Sequence, residues 1–119
     1  MRATALLATG VAALAVVPVG AGVAAKPKQP KPRFVNVGDD YFAPAAIKVP
    51  LGTRVVWKWL SVNGETHDVK LQHGPKGVKR FHSDPAAADF SFKRTLKVKG
   101  QYAVICTFHE DMKMTITVK

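Results

Sequence analysis

Residues 100–118 read GQYAVICTFHEDMKMTITV and contain two alternating runs of polar and apolar residues joined by a short loop. The apolar positions of the two runs are Tyr102, Val104 and Cys106, then Met114, Ile116 and Val118. Successive side chains of a β-strand point to opposite faces, so a period of two predicts a strand with one buried face. The stretch therefore predicts two neighbouring strands and a connecting loop.

Shorter runs with the same period lie upstream of this stretch. Their apolar positions are Val35 and Val37, Ile47 and Val49, Val55, Trp57 and Trp59, and finally Phe90, Phe92, Leu96 and Val98. Turn residues at Pro50-Leu51-Gly52 and Asn63-Gly64 separate the runs, and no long window has a helical period. Arg94 falls on the apolar face of the last run, where the pattern assigns it no role.

The length of the chain limits how these strands are arranged. With 119 residues there is room for one hydrophobic core. A small chain with many short strands buries their apolar faces by packing two sheets together. We therefore predict an all-β sandwich over residues 33–119.

The first 25 residues have the features of an export signal. Arg2 supplies a positive start, residues 5–19 are almost all apolar, and residues 23–25 are small enough for a cleavage site. The apolar run is shorter than the roughly 20 residues of a membrane-spanning helix. We expect a cleaved signal peptide at 1–25 and a solvated Lys/Pro-rich tether at 26–32. The mature protein would then be periplasmic, extracellular or at the cell surface.

The loop between the last two strands is rich in metal donors. It holds the only cysteine of the chain, Cys106, followed by His109, Met112 and Met114. Thiolate, imidazole and thioether groups all bind transition metals. A buried apolar role would explain an isolated Cys106 equally well. The neighbouring donors favour a metal site.

These donor types suit copper better than zinc. A thioether offers little to zinc, whereas a thiolate with two imidazoles and a weak thioether suits both Cu(I) and Cu(II). His67 is the best candidate for the second imidazole because it shares a predicted strand face with Val69 and Leu71. We expect His73 to be solvated, and His82 to be a surface group or a neighbour of a ligand.

At this point the residues resemble a known family. Gly100–Met112 is similar to the G-x-Y-x-x-x-C-x-x-H-x-x-M signature of cupredoxins, the small blue-copper proteins of the plastocyanin and azurin family. Residues 42–49, 52–57 and 67–69 resemble the family's F-x-P-x-x-I-x-V, G-x-x-V-x-W and H-x-V elements, in the same order. Each fragment is weak alone, but their order and spacing across 33–119 are specific.

The resemblance implies a Greek-key sandwich that holds one type 1 copper ion. It implies His67, Cys106 and His109 as ligands with an axial methionine, and single-electron transfer through the ring edge of His109. Met112 gives the short amicyanin-like spacing and Met114 the longer plastocyanin-like one. Because Met114 already belongs to the last strand pattern, we predict Met112 as the axial ligand.

Three positions depart from the family pattern, and one of them is Met114, where a small residue is usual after the loop. Asp68 stands where cupredoxins commonly have Asn, and Phe108 stands where many short-loop members have Pro. An ionised carboxylate only accepts hydrogen bonds, whereas an amide both donates and accepts. We therefore expect different hydrogen bonding between the two ligand loops. A negative charge there would also favour Cu(II) and lower the reduction potential.

The charge of the chain bears on its partners. Residues 26–119 contain 17 Lys and Arg and 8 Asp and Glu, because Arg2 lies in the predicted signal peptide. Their net charge is about +9. Such a surface speeds encounter with acidic redox proteins, although it would equally keep a monomeric domain soluble or near an anionic cell wall. Nucleic acid binding is not expected, because no recognition module is visible.

Three other functions are compatible with parts of the sequence. A copper carrier or buffer would use the same ligands but exchange the metal. A hydrolase with Cys106 as nucleophile would need a substrate cleft and a third orienting group, and neither is apparent. A purely structural adhesion sandwich leaves the donor set without a purpose. We predict a non-enzymatic electron carrier, with copper handling as the alternative.

Overall fold

The computed structural model describes residues 10, 12–13 and 28–119. The described chain forms eight β-strands and no helix: β1 (Arg33–Gly38), β2 (Tyr41–Ala43), β3 (Ala46–Val49), β4 (Arg54–Trp59), β5 (Lys70–His73), β6 (Ser91–Thr95), β7 (Gly100–Ile105) and β8 (Lys113–Val118). Most of the predicted signal peptide lies outside the described residues. The described part of the predicted tether, residues 28–32, has no regular secondary structure. No helix long and apolar enough to cross a membrane occurs in the described ranges.

The strands form two four-stranded sheets, which confirms the predicted all-β, two-sheet architecture. One sheet has the order β2-β1-β4-β6 and the other β3-β8-β7-β5. Each sheet contains one parallel pair, β1 with β4 and β3 with β8, and the remaining pairs are antiparallel.

The alternating positions form the core between the sheets. The predicted inward residues of β1, β3, β4, β7 and β8 are all buried, as are Cys106 and Leu96 beyond strand ends. Trp57 is at the centre, with ring centroids 5.8 Å from both Phe81 and Phe92. Burial of a large apolar side chain contributes about 1.5–3 kcal/mol. The period-two pattern therefore specifies most of the stabilising contacts.

The structure differs from the pattern in three places. The fourth predicted run ends as a strand at Thr95, so Leu96 and Val98 lie in the loop that follows. The exposed Arg94 places its guanidinium 4.8 Å from the Phe92 ring centroid, a cation–π contact that accounts for its position on the apolar face. His67 lies before β5, in an isolated bridge with Ala86.

Strand directions give the sandwich two distinct ends. β1 and β4 run in parallel, so the turn after β1 and the segment after β4 lie at the same end as the start of β6 and the β7–β8 loop. We call this the Cys106 end. The opposite end, the Arg33 end, holds the entry to β1, the β3–β4 loop, the turn after β5 and the β6–β7 loop.

Candidate metal centre

Three predicted donors meet at the Cys106 end. His67, Cys106 and His109 each place one ligand atom within 4.8 Å of the other two. The ring centroids of His67 and His109 are 4.8 Å apart. His67 comes from the segment after β4, while the other two come from the β7–β8 loop. The fold thus brings two imidazoles and a thiol from remote parts of the chain into one cluster.

The side chain of His67 is fixed in one orientation. It is fully buried, and its Nε2 donates to Asp39 Oδ1 at 2.8 Å. Hydrogen bonds from the backbone of Gly64, from His67 and from the backbone of Glu65 hold the pKa of Asp39 below its usual range. Because the ionised carboxylate accepts the Nε2 proton, Nδ1 carries the lone pair.

Nδ1 of His67 is the one buried side-chain nitrogen or oxygen in the described residues with no hydrogen-bond partner. An unpartnered polar atom in the interior costs about 1–3 kcal/mol. A metal ion beside the thiol would satisfy this atom. The residues present therefore fit the expected ion on chemical grounds.

Replacing Asp39 by alanine should weaken copper binding about 10- to 100-fold, the typical effect of losing a carboxylate that orients a histidine ligand. The substitution leaves every donor atom in place but frees the His67 ring to turn. The affinity is measured by competition with a chelator of known strength. The control is Asp84→Ala, an exposed aspartate at the same end. Equal affinities of the two variants would show that Asp39 does not orient His67.

Cys106 is buried and protected. Its burial raises the pKa of the thiol, and the backbone N–H groups of Asp68, Phe108 and His109 only partly oppose this. A protonated buried thiol reacts slowly with oxidants. Metal binding requires the thiolate, so the ion would displace this proton and then be held by a soft, charged donor.

His109 is the more accessible imidazole, with 24% of its side chain exposed. Its Nδ1 lies 3.0 Å from Asp40 Oδ1, and its Nε2 lies 3.1 Å from the Thr66 carbonyl oxygen. One of these contacts has to give way for that nitrogen to bind a metal. The His109 position is thus less fixed than that of His67, and its ring borders solvent.

Asp68 connects the two ligand loops. Its Oδ1 accepts from the backbone N–H of Thr107 at 2.7 Å, and its Oδ2 accepts from Thr107 Oγ1 at 2.6 Å and from His82 Nε2 at 2.7 Å. Burial raises the pKa of Asp68, but these bonds outweigh burial and the pKa lies below its usual value. The buried carboxylate thus needs no donor of its own.

The two remaining histidines lie outside the donor group. His82 is half exposed and contacts Asp68, so it neighbours the site as expected. His73 is exposed, also as expected, although it ends β5 instead of standing in a turn.

The two methionines have different surroundings. Both are buried, with 1% of Met112 and 3% of Met114 exposed. Trp57 Nε1 donates to Met114 Sδ at 3.3 Å, so this sulfur faces the core. Met112 ends the donor loop, where its carbonyl accepts from Cys106 N at 2.9 Å and its N–H donates to the His109 carbonyl at 3.1 Å.

Comparisons with known proteins identify a copper-binding family. Residues 35–119 match the family model of copper-binding proteins of the plastocyanin/azurin family. A halocyanin from Natronomonas pharaonis is 35% identical over 74 residues, which are 61% of this chain. This chain spans 44% of the length of that relative.

Solved structures share the fold. A copper-containing nitrite reductase from Thermus scotoductus SA-01 is similar over 82% of this chain, with 26% identity and a TM-score of 0.66, although this chain covers 24% of that one. A reduced amicyanin variant is similar over 73% of this chain and 81% of its own, with 21% identity and a TM-score of 0.64. An oxidised amicyanin variant is similar over 78% and 95%, with 18% identity and a TM-score of 0.64.

Fold and donors together define a small all-β protein with a nitrogen–sulfur site for a redox-active metal. The chain belongs to the copper-binding plastocyanin/azurin family, the cupredoxins, and its cofactor is copper.

Proposed function

We propose that this protein carries single electrons between redox partners by means of one type 1 copper ion. In this proposal the ligands are His67 Nδ1, a nitrogen of His109, Cys106 Sγ and, axially, Met112 Sδ. The observation that carries the assignment is the unpartnered Nδ1 of the buried His67, a residue that forms one donor group with Cys106 and His109. Bound copper supplies the one-electron chemistry.

The surroundings of the donors support a site that changes little between oxidation states. His67 is fixed by Asp39, and the loop of Cys106 is closed by backbone bonds to Met112 and tied to Asp68 through Thr107. Ligands held by packing and hydrogen bonds keep their positions when the charge of the ion changes. The half-buried His109 ring offers the path for electrons to and from the surface.

Copper transport or buffering is the alternative function. It is favoured by one observation, the two protein contacts that His109 makes through its ring nitrogens. A ligand with such alternatives releases metal more readily than one without them. Rapid transfer of copper to a chelator, with slow redox cycling, would support this alternative over electron transfer.

The partners and the location are part of the proposal. The sequence of residues 1–25 supports export, and redox proteins outside the cytoplasm are the expected partners. We propose that the mature chain acts as a monomer and is not itself an enzyme.

The proposal is tested by titrating the metal-free protein with Cu(II) while recording optical and electron paramagnetic resonance spectra. We expect an intense absorption in the red that saturates at one ion per chain, with narrow copper hyperfine splitting. Thiolate bound to Cu(II) in a constrained site produces both signals. A weak band with wide splitting would contradict a type 1 centre.

A further inference from the structure

The charges of this protein are separated between its two ends. All eight Asp and Glu residues of the chain lie in turns and loops of the Cys106 end: Asp39, Asp40, Glu65, Asp68, Asp84, Asp89, Glu110 and Asp111. The loops and strand starts of the Arg33 end carry nine described basic residues and no acidic one: Lys28, Lys31, Arg33, Arg54, Lys76, Lys79, Lys97, Lys99 and Lys119. The chain has a net charge of +10, but its acidic residues are concentrated at one end.

The half-buried ring of His109 lies at the negative end, beside acidic side chains. Asp40 contacts this ring directly, and Asp40, Glu65 and His109 place ligand atoms within 4.8 Å of one another. Glu110 and Asp111 follow His109 in the chain and are exposed. The turn after β1, residues 60–69 and residues 106–112 contain no Lys or Arg. The basic residues nearest these loops lie in strands: Lys58 near the end of β4, and Lys70 and Lys113 at the starts of β5 and β8.

Exposed apolar side chains lie in or directly beside the same loops. Phe108, which precedes His109, is 52% exposed, and Val62 in the segment after β4 is 86% exposed. Tyr41, directly after Asp40, is 47% exposed. Apolar groups with a charged rim are typical of an interface, and redox encounters are at the small end of interface sizes. The acidic cluster thus shares this end with exposed apolar side chains and with the unpartnered Nδ1 of His67, which would hold the metal in the proposed function.

We propose that the Cys106 end docks a redox protein whose own docking surface is basic. This inference rests on the proposed electron-transfer function and names its partner class. The net charge of the chain predicts an acidic partner, and we replace that prediction with a basic one. A docking partner senses the electrostatic potential of the nearest charges, because salt screens charges beyond a Debye length of about 8–10 Å. The basic Arg33 end faces away from the docked partner and so does not repel it strongly.

Small redox probes of opposite charge distinguish local from net charge. The reduced, copper-loaded protein is mixed with tris(phenanthroline)cobalt(III), a cation, or hexacyanoferrate(III), an anion. Each oxidant takes one electron, so Co(III) becomes Co(II), or Fe(III) becomes Fe(II), while Cu(I) becomes Cu(II). We expect the rate with the cation to fall about tenfold between low and high salt and the rate with the anion to rise. The opposite pair of salt dependences would overturn the proposal.

Matched variants locate the effect. The first double variant, Glu110→Lys with Asp111→Lys, raises the net charge at the Cys106 end. The second, Lys97→Glu with Lys99→Glu, lowers the net charge by the same amount at the Arg33 end. We expect the first pair to slow the cationic probe about tenfold at low salt and the second pair to leave its rate nearly unchanged. Equal and opposite effects of the two pairs would show that net charge governs the encounter and would overturn the proposal.

A third measurement needs no copper and no substitution. Hexaamminechromium(III), a paramagnetic cation, is added to the metal-free full chain, and broadening of backbone amide NMR signals is mapped. The proposal expects broadening centred on residues 39–40, 65 and 110–111. Broadening elsewhere, or none, overturns the docking surface even if copper binds normally. Broadening at these residues without a type 1 spectrum would instead keep the surface and reject the proposed electron transfer.

Discussion

The Cys106→Ser variant should lose the intense visible band of the copper-loaded protein completely. That band requires charge transfer from a thiolate sulfur to Cu(II), and a serine oxygen is a harder donor that stays protonated at neutral pH. The hydroxyl is close in size to the thiol, and the N–H groups of Asp68, Phe108 and His109 surround that position. The fold should therefore survive, with a loss of unfolding free energy of about 1–2 kcal/mol at most.

The measurement combines a Cu(II) titration with a denaturation curve of the metal-free variant. The matched control is His73→Gln, which removes an exposed imidazole outside the donor group and should leave the visible band unchanged. A strong red absorption that persists in Cys106→Ser would mean that the thiol is not a ligand. A band lost in both variants would point to a general defect in copper binding.

The two methionines should respond in opposite ways when each is changed to leucine. Met112→Leu removes the proposed axial sulfur, so the visible spectrum should shift and the reduction potential should rise. Loss of this donor destabilises Cu(II) more than Cu(I), because Cu(I) accepts fewer ligands. The reduction potential therefore rises. Met and Leu have similar volumes, so the stability of the metal-free protein should change by less than about 1.5 kcal/mol.

Met114→Leu removes the acceptor of the buried Trp57 Nε1–H. A buried donor without a partner costs about 1–3 kcal/mol, so this variant should unfold at lower guanidinium concentration with little change in spectrum or potential. Spectra and denaturation curves of both variants decide the assignment. A spectral shift in Met114→Leu alone would transfer the axial role to Met114.

The sequence predicted much of the fold because its signals are local. The run at Val55, Trp57 and Trp59 and the run at Met114, Ile116 and Val118 alternate without interruption, and each forms a strand with its apolar face buried. β2 was missed because it has three residues with one buried side chain, Phe42, which is too few to show a period. The start of β5 was misplaced because Asp68, between His67 and Val69, is buried as well.

The donor group was also predictable, since its residue types are few and chemically distinct. The residues that orient the donors were not. Asp39 carries no sequence signal beyond following an apolar strand, and the role of Asp68 became clear only with Thr107 and His82 beside it.

The sequence by itself determined which strand faces are apolar and which atoms are available to bind copper, because strand alternation and donor chemistry depend on single residues and their close neighbours. The tertiary structure decided how those atoms are oriented: Asp39 with His67, Asp68 with Thr107, and Trp57 with Met114 are separated by 28, 39 and 57 positions. It also gathered every acidic side chain at one end. Contacts across such separations follow from sheet pairing and packing, which bring distant segments together and leave no local pattern in the chain.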